Sequence, residues 1–133
     1  MTTPSKASGF TLVELIVVMA VVAILAAIAI PSYSQYVLRN NRAQAQVVMS
    51  QVASLQQQYL LNRRQYGSLA DLGATVPADV AAHYNVTVAT DLPAAGSPTF
   101  TLTATPIGGQ ASDRCGTMTL NQTGAKTPAS GCW

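Results

Sequence analysis

Glu14 is a single carboxylate inside a long apolar run, and it is the first residue in the sequence that calls for a chemical partner. The run extends over 21 residues, from Phe10 to Ile30, and Glu14 is its only charge. As an α-helix it would be about 31 Å long, close to the hydrocarbon thickness of a bilayer. A carboxylate at the centre of such a span costs about 2.5–3.5 kcal/mol, and less near its end. Glu14 therefore needs a cation, a neutral form or a place among the headgroups, and no Lys or Arg lies between Lys6 and Arg39.

Two cleavage sites are compatible with this N-terminus. The triplet Ala27-Ile28-Ala29 fits the small-residue rule of a secretory signal, so a cut at its end is one alternative. The charge of Glu14, the weakly positive leader and the transmembrane length of the run count against that cut. A cut between Gly9 and Phe10 would instead keep the apolar helix and create an amino group four residues from Glu14.

Cys115 and Cys132 are the only two cysteines in the chain. Behind a membrane or export segment, a small, even number of cysteines predicts a disulfide. Closing a loop of this size would stabilise the fold by roughly 3 kcal/mol in the chain-entropy model. The alternative is a pair of free, buried thiols.

The sequence contains no catalytic or metal-binding motif. His83 is the only histidine, and it begins a predicted strand. There is no nucleophile motif, no zinc-protease helix, no glycine-rich phosphate loop and no paired-cysteine motif. The acidic residues of the head lack calcium-loop spacing: Asp71, Asp79, Asp91 and Asp113. We therefore predict a protein that is not an enzyme and that has no cofactor and no metal.

Four cations in the second half of the chain are candidates for contacting nucleic acid: Arg63, Arg64, Arg114 and Lys126. From Asn62 onward they are balanced by four Asp residues, so this region is formally neutral. DNA binding depends on phosphate contacts and on basic surface. The pair Arg63-Arg64 also suits the negative end of a helix. DNA binding is therefore a secondary prediction.

The apolar pattern predicts one long helix, from about Phe10 to about Asn62. Its first half is apolar all round, and its second half is amphipathic. In that second half, apolar residues recur at helical spacing: Ala45, Val48, Val52, Leu55 and Tyr59. Pro31 removes a backbone hydrogen bond, so we predict a kink there.

Three alternating segments that follow the helix predict β-strands: 83–88, 99–104 and 117–120. Each has one apolar face, and stretches containing Gly or Pro separate them. Short strands of this kind suit an antiparallel meander that packs on the amphipathic half of the helix. The predicted fold class is therefore α+β, with a long N-terminal helix and a small antiparallel sheet of about three to four strands.

The N-terminal motif resembles the processing site of type IV prepilins. It reads Lys6-Ala7-Ser8-Gly9 followed by Phe10-Thr11-Leu12-Val13-Glu14, ahead of the apolar run. The resemblance implies that a peptidase cuts between Gly9 and Phe10 and that Phe10 is then N-methylated. It also implies that Thr11 and Glu14 act in assembly, where Glu14 pairs with the methylated Phe10 amine of a neighbouring subunit.

The tail resembles that of PilE-type minor pilins, a group that includes competence pilins that bind DNA. The resemblance lies in Asp113-Arg114-Cys115-Gly116 and the closing Cys132-Trp133. The two resemblances together imply four regions along the chain: a leader (1–9), a transmembrane and filament-core helix (10–31), an amphipathic helix half (32–62) and a head with a disulfide-closed tail (63–133).

The family resemblance also implies partners and a location. The partners are other pilin subunits, the prepilin peptidase and methylase, and an inner-membrane assembly platform. The chain would cross the bacterial inner membrane once, with its head in the periplasm, and would then enter an extracellular pilus. The count of positive charges on the two sides of the span is close to a tie, so orientation follows from the resemblance rather than from charge.

The favoured function is a structural subunit of a type IV pilus, most like a minor pilin, that supports pilus biogenesis, twitching motility, adhesion or DNA uptake. One alternative is a DNA-receptor competence pilin on the same scaffold. Another is a type II secretion pseudopilin, which shares the leader but resembles this tail less well. A secreted enzyme cut after Ala29 would need a catalytic constellation that the sequence does not offer.

Overall fold

The computed structural model of the protein describes residues 9–129 and 131–133, so the predicted leader lies outside the described residues except for Gly9. Within them the chain forms these elements in order: α1 (Leu12–Arg63), α2 (Ala78–Ala81), β1 (Tyr84–Asp91), β2 (Thr99–Pro106), a 3₁₀ turn (Gly108–Ser112), β3 (Met118–Asn121) and β4 (Lys126–Thr127). The chain divides into two compact units, one ending at Tyr36 and one beginning at Val37. The boundary falls within α1.

The first unit contains the apolar part of α1. In this unit every described side chain from Gly9 to Tyr36 is exposed except Ala26, which is half-buried. The helical assignment runs through Pro31 without a break. Ser34 Oγ donates to the Pro31 carbonyl at 2.9 Å, and Ser32 Oγ donates to the Ile28 carbonyl at 3.2 Å. The kink at Pro31 stays a prediction.

The second half of α1 supplies one side of the core. Its buried residues follow a helical stripe: Arg42, Ala45, Val48, Met49, Val52 and Gln56. The predicted stripe is right at Ala45, Val48 and Val52, whereas Leu55 and Tyr59 are only half-buried. Gln56 takes the inner position because its side-chain amide bonds both backbone groups of a neighbouring loop.

That loop follows the end of α1. Gln56 Nε2 donates to the Gly67 carbonyl at 2.6 Å, and the Gly67 N–H donates to Gln56 Oε1 at 2.9 Å. A Cβ at Gly67 would lie 2.9 Å from the Cβ of Asp71 and 3.1 Å from the Tyr59 ring. The close approach therefore requires glycine, and the buried amide is fully satisfied.

The sheet is a four-stranded antiparallel meander in the order β1-β2-β3-β4. Val86 stands opposite Ala104, and Ala104 stands opposite Met118, so the apolar faces of the first three strands are aligned. All three predicted strands exist, and β1 and β2 run two to three residues further than predicted. The predicted sheet has about three to four strands, and β4, which is only two residues long, is the fourth.

The core lies between the sheet and the second half of α1. The strands contribute seven buried residues, which are Tyr84, Val86, Phe100, Leu102, Ala104, Met118 and Leu120. Tyr66 contacts Phe100 edge-on, with ring centroids 4.7 Å apart. Burial of these two apolar surfaces against each other is the main stabilising term, and the predicted α+β class is confirmed.

Candidate functional site: the helix N-terminus and the disulfide-closed tail

Thr11 and Glu14 form the N-terminal cap of α1. The Glu14 N–H donates to Thr11 Oγ1 at 3.3 Å, and the Leu15 N–H donates to the Thr11 carbonyl at 3.2 Å. A Thr cap followed three residues later by Glu is the capping-box pattern. A carboxylate in the first turn is also favoured by the helix dipole. Thr11 therefore starts the helix, and Glu14 lies one turn from Phe10.

The first unit presents an apolar surface with one carboxylate on it. Phe10 is 80 % exposed, and the side chains of the run from Leu12 to Ile30 are exposed with it, except for the half-buried Ala26. Over part of α1 the helix is long and apolar enough to cross a membrane, and it is the one such helix found among the described residues. An apolar helix of this length is stable only in lipid or against other protein.

A disulfide closes the tail, and it joins the two cysteines that the sequence predicts to pair. The Cα atoms of Cys115 and Cys132 lie 5.7 Å apart, within the usual range for a disulfide. Gln46 on α1 donates through Nε2 to the Cys132 carbonyl. The last residues of the tail are therefore fixed to the helix as well as to the loop that precedes β3.

A buried ion pair holds the loop before Cys115 on α1. Arg42 Nη1 lies 2.6 Å from Asp113 Oδ1, and the two side chains are 10 % and 3 % exposed. Asp113 Oδ1 also accepts the Cys115 N–H at 3.1 Å, and Arg42 Nη1 lies 2.8 Å from Cys115 Sγ. Because both charges are buried, each requires the other.

Gln110 completes this network. Its Nε2 donates to the Leu38 carbonyl at 2.9 Å, to the Tyr84 hydroxyl at 2.9 Å and to Asp113 Oδ2 at 3.1 Å. Burial raises the pKa of Tyr84, and the hydrogen bond from Gln110 opposes that rise. Within the described residues no buried side-chain nitrogen or oxygen lacks a partner. The network therefore joins α1, β1 and the 3₁₀ turn without an unpaired polar group.

Sequence reasoning missed this network. It assigned no role to Arg42 and counted Asp113 among the charges that neutralise the region from Asn62 onward. The signal that could have revealed Arg42 is its spacing, because it lies three residues before Ala45 on the buried stripe of α1. Asp113 has no comparable signal, since a long-range contact brings it to the helix.

The structure divides the four candidate DNA contacts between two places. Arg63 ends α1, and Arg64 follows it with a left-handed backbone (φ 57°). Arg114 and Lys126 belong to the disulfide-closed tail, where a Cβ at Gly131 would lie 3.7 Å from Arg114 Nη2. All four side chains are exposed.

The Arg42–Asp113 pair is neutral as a whole, so its burial leaves the net charge of the second unit unchanged. Among the described residues from Val37 onward, five cations are exposed: Arg39, Arg63, Arg64, Arg114 and Lys126. Three carboxylates are exposed in the same stretch: Asp71, Asp79 and Asp91. The surface of this unit therefore carries a net positive charge of two.

Lys126 and Trp133 form one wall of an open groove beside α1. The Lys126 ammonium lies 4.9 Å from the centre of the Trp133 ring, and Trp133 Nε1 donates to the Thr127 carbonyl at 2.9 Å. The helix lines the other wall with small and polar residues, namely Ala43, Gln46, Val47, Ser50, Gln51 and Ser54. Trp133 is half-buried and packs against the core.

Two other predicted features are found in the head. His83 is half-buried immediately before β1, as expected for an ordinary residue at a strand end. Asp71 accepts hydrogen bonds from the Ser68 hydroxyl and N–H, which lower its pKa. Among the described residues, no group of His, Cys, Asp or Glu could hold a metal ion.

Comparison with known proteins adds two family matches. The model described as "Type IV minor pilin ComP, DNA uptake sequence receptor" matches residues 31–119. The model described as "Prokaryotic N-terminal methylation motif" matches residues 4–30. The two matches cover adjoining parts of the chain and meet at Pro31.

Similar curated proteins are pilins. The chain is 34% identical over 77 residues to a fimbrial protein of Neisseria meningitidis serogroup B, covering 57% of this chain and 45% of that protein. It is 33% identical over 63 residues to the type IV major pilin protein PilA of Myxococcus xanthus, covering 47% of this chain and 29% of that protein. The matched stretch thus spans less than half the length of these relatives.

A solved structure agrees with the fold. The type IV pilin from Shewanella oneidensis is similar with a TM-score of 0.56 and 26% identity, covering 72% of this chain and 97% of that chain. The two family models and this solved structure together identify the class of the protein as a type IV pilin. Because the minor-pilin model matches more than half of the residues, the chain belongs to the family of the type IV minor pilin ComP, DNA uptake sequence receptor.

Proposed function

We propose that this chain is a minor subunit of a type IV pilus that assembles through α1 and binds DNA through its head during DNA uptake. The observation that carries the proposal is the match to the minor-pilin DNA-receptor family over residues 31–119. Those residues include the second half of α1, all of β1 and β2, and the first two residues of β3. The proposal therefore concerns the same part of the chain that forms the folded head.

Processing at Gly9 and Phe10 is the first step of the proposed function. The methylation-motif match over residues 4–30 supports a cut after Gly9 and methylation of the Phe10 amine. It also favours this cut over the alternative one after Ala29. A mature N-terminus at methylated Phe10 in mass spectrometry would agree with the proposal, and a mature N-terminus at Ile30 would contradict it.

Assembly follows from the surface of the first unit. Its apolar side chains have no cover within that unit, and Glu14 carries the only charge of the run. The Phe10 amine of a neighbouring subunit would supply the missing cation, since a carboxylate in apolar surroundings is stable when paired. Before assembly the helix would lie in the bacterial inner membrane with the head in the periplasm, where the processing enzyme and assembly platform act on it.

DNA binding would use the exposed cations of the head. Arg114 and Lys126 lie on the disulfide-closed tail, which is held to α1 by the Arg42–Asp113 pair and by Gln46. Because the tail is held in place, its cations keep fixed positions. Less conformational entropy is therefore lost when they contact phosphate groups. Arg63 and Arg64, at the end of α1, are the second pair of candidate contacts.

The experiment is a salt titration of DNA binding by the full chain in detergent micelles. We expect log Kd to depend linearly on log salt, and Arg114→Gln with Lys126→Gln to reduce the slope by about 1.8, or about 0.9 for each phosphate that the protein no longer neutralises. The single variants Arg114→Gln and Lys126→Gln are each compared with the control Arg39→Gln, which removes one exposed cation from the same unit outside the four candidate contacts. No binding at about 50 mM salt, where phosphate contacts are strongest, would reject a DNA-receptor role.

A further inference from the structure

The two edges of the sheet differ in how they are protected. β4 is two residues long, contains Lys126 and is followed by Pro128. Short length, lysine and proline are the usual means by which an edge strand avoids pairing with another chain. β1 is eight residues long, has no proline, and carries no charge before Asp91. In length, proline and charge, the β1 edge is therefore the less protected of the two edges.

Hydrogen bonding to β2 determines which backbone groups of β1 face outward. The Ile107 N–H donates to the His83 carbonyl at 2.9 Å, and Tyr84 stands opposite Pro106, which has no N–H. Bonded and non-bonded pairs alternate along an antiparallel ladder, so the odd-numbered residues of β1 bond to β2. The outward N–H and C=O groups belong to the even-numbered residues: Tyr84, Val86, Val88 and Thr90. No segment of residues 9–129 and 131–133 outside the sheet supplies backbone partners for them.

We propose that the β1 edge binds the β1 edge of a second copy of this chain, antiparallel, with Thr87 opposite Thr87. In this register Tyr84 pairs with Thr90 and Val86 pairs with Val88, in both directions. All eight outward backbone groups then acquire partners. Core-facing side chains lie beside core-facing side chains, so the two sheets continue as one.

The same register brings complementary side chains together at the two ends of β1. His83 comes to lie opposite Asp91 of the second copy, and the pair occurs twice because the contact is symmetric. Asp91 is exposed and His83 is half-buried, so a hydrogen bond between imidazole and carboxylate is accessible to both. A shift of two residues in either direction separates His83 from Asp91 and leaves outward groups unpaired. Charge and backbone pairing therefore select one register.

The symmetry also limits where the contact can form. A two-fold axis perpendicular to the sheet reverses every direction that lies in the plane of the sheet. The second half of α1 lies flat on the sheet, since its buried residues extend from Arg42 to Gln56. These helix segments therefore run antiparallel in the pair. The contact fits heads on two filaments, or on two opposed surfaces, and does not fit neighbours of equal polarity in one filament. It is independent of DNA binding.

Cysteine cross-linking of the full chain in detergent micelles tests the contact. Thr87 is exposed and would face its counterpart as a non-bonded pair, with Cα atoms about 4.5 Å apart. Oxidised Thr87→Cys protein should therefore give a disulfide-linked dimer in non-reducing gels, at several times the yield of Thr105→Cys. Thr105 is the matched control because it is exposed and lies on the same face of the sheet, in the interior strand β2.

Further variants test the register. Asn85→Cys should not link to itself but should link to Ala89→Cys when the two proteins are mixed, because those positions are opposite in the proposed pairing. In the Thr87→Cys background, Thr90→Pro should reduce cross-linking severalfold, since it removes an N–H that is open in the single chain and bonded in the pair. Asp91→Lys should do the same, and adding His83→Glu should restore the dimer.

Equal cross-linking at positions 87 and 105 would overturn the proposal. It would indicate association through the apolar half of α1, which brings the heads together without favouring any one position on them. Cross-linking that is insensitive to both Thr90→Pro and Asp91→Lys would also overturn it. An unchanged thermal unfolding midpoint of each variant is the control for the fold. Loss of DNA binding has no bearing on this result.

Discussion

The two halves of α1 differ in whether their apolar and charged side chains have partners within their own unit. In the first unit the apolar side chains are exposed, and Glu14 is the only charge of the run. In the second unit the helix face is buried, and its one buried cation, Arg42, is paired with Asp113 at 2.6 Å. The second half of α1 therefore stabilises the fold of its own unit. The first half leaves its apolar side chains and its carboxylate without partners in the first unit, which is typical of a surface that binds lipid or protein.

The largest expected effect is on filament assembly, when Glu14 of the first unit is replaced. We expect Glu14→Ala to be cleaved and methylated normally but to be almost absent from filaments, because the Phe10 amine of a neighbour would then lack its carboxylate. Purified filaments, compared with membranes by immunoblot, measure this. Glu14→Gln keeps the shape and removes the charge, and normal incorporation of either variant would contradict the pairing. The fold of the head should be unaffected.

In the second unit, replacing one member of the buried Arg42–Asp113 pair should have a large effect on stability. Asp113→Ala leaves Arg42 buried without a partner, and we expect the free energy of unfolding to fall by about 3–5 kcal/mol. Replacing both residues, as Arg42→Met with Asp113→Leu, should cost much less. Denaturant unfolding of the full chain in micelles gives both values. Equal losses in the single and double variants would indicate that packing, and not the unpaired charge, is what matters.

A smaller effect is expected where a neutral side chain is buried. Gln56→Leu leaves the N–H and C=O of Gly67 without partners, and we expect a loss of about 1–3 kcal/mol. Gln57→Leu, at an exposed neighbouring position, is the control and should change stability little. If the two substitutions cost the same, the Gln56 amide does not hold the loop.

The smallest expected effect concerns Tyr84 and alkaline pH. Burial raises its pKa above the ordinary value of 10.0. Its contribution to stability is then complete below pH 10 and is lost as the pH rises through the higher folded pKa. The free energy of unfolding should therefore fall with pH above about 10, and less steeply in Tyr84→Phe. An identical slope in the two proteins would show that other groups dominate.

Much of the fold can be predicted from local pattern. The span of α1 follows from helical periodicity, and its actual end at Arg63 lies one residue beyond the predicted one. The inward residues of β2 and β3 follow from alternation, because a half-buried strand repeats every two residues. β4 could not be predicted in this way, since two residues carry no periodicity.

The candidate site was predictable where a motif stands in consecutive residues. Gly9, Phe10 and Glu14 are recognisable together, and so is the pair of tail cysteines. The roles assigned to Gly9, Phe10 and Glu14, and the DNA contacts, remain predictions. The position of Arg42 on the buried stripe could have been found from its spacing, but the partners of Arg42 and Gln56 could not, because they lie 71 and 11 residues away.

The sequence alone determined the apolar length of the first half of α1, its single carboxylate and the likeness of its N-terminus to a prepilin site, because these depend only on residue order. Tertiary structure decided that Asp113 is buried against Arg42, so that the residues from Asn62 onward expose four cations and three Asp carboxylates. It also decided that β1 and not β4 is the open edge, because strand order exists only in the folded chain. Contacts between residues that are far apart in the sequence form only when the chain packs, so no local sequence pattern predicts them.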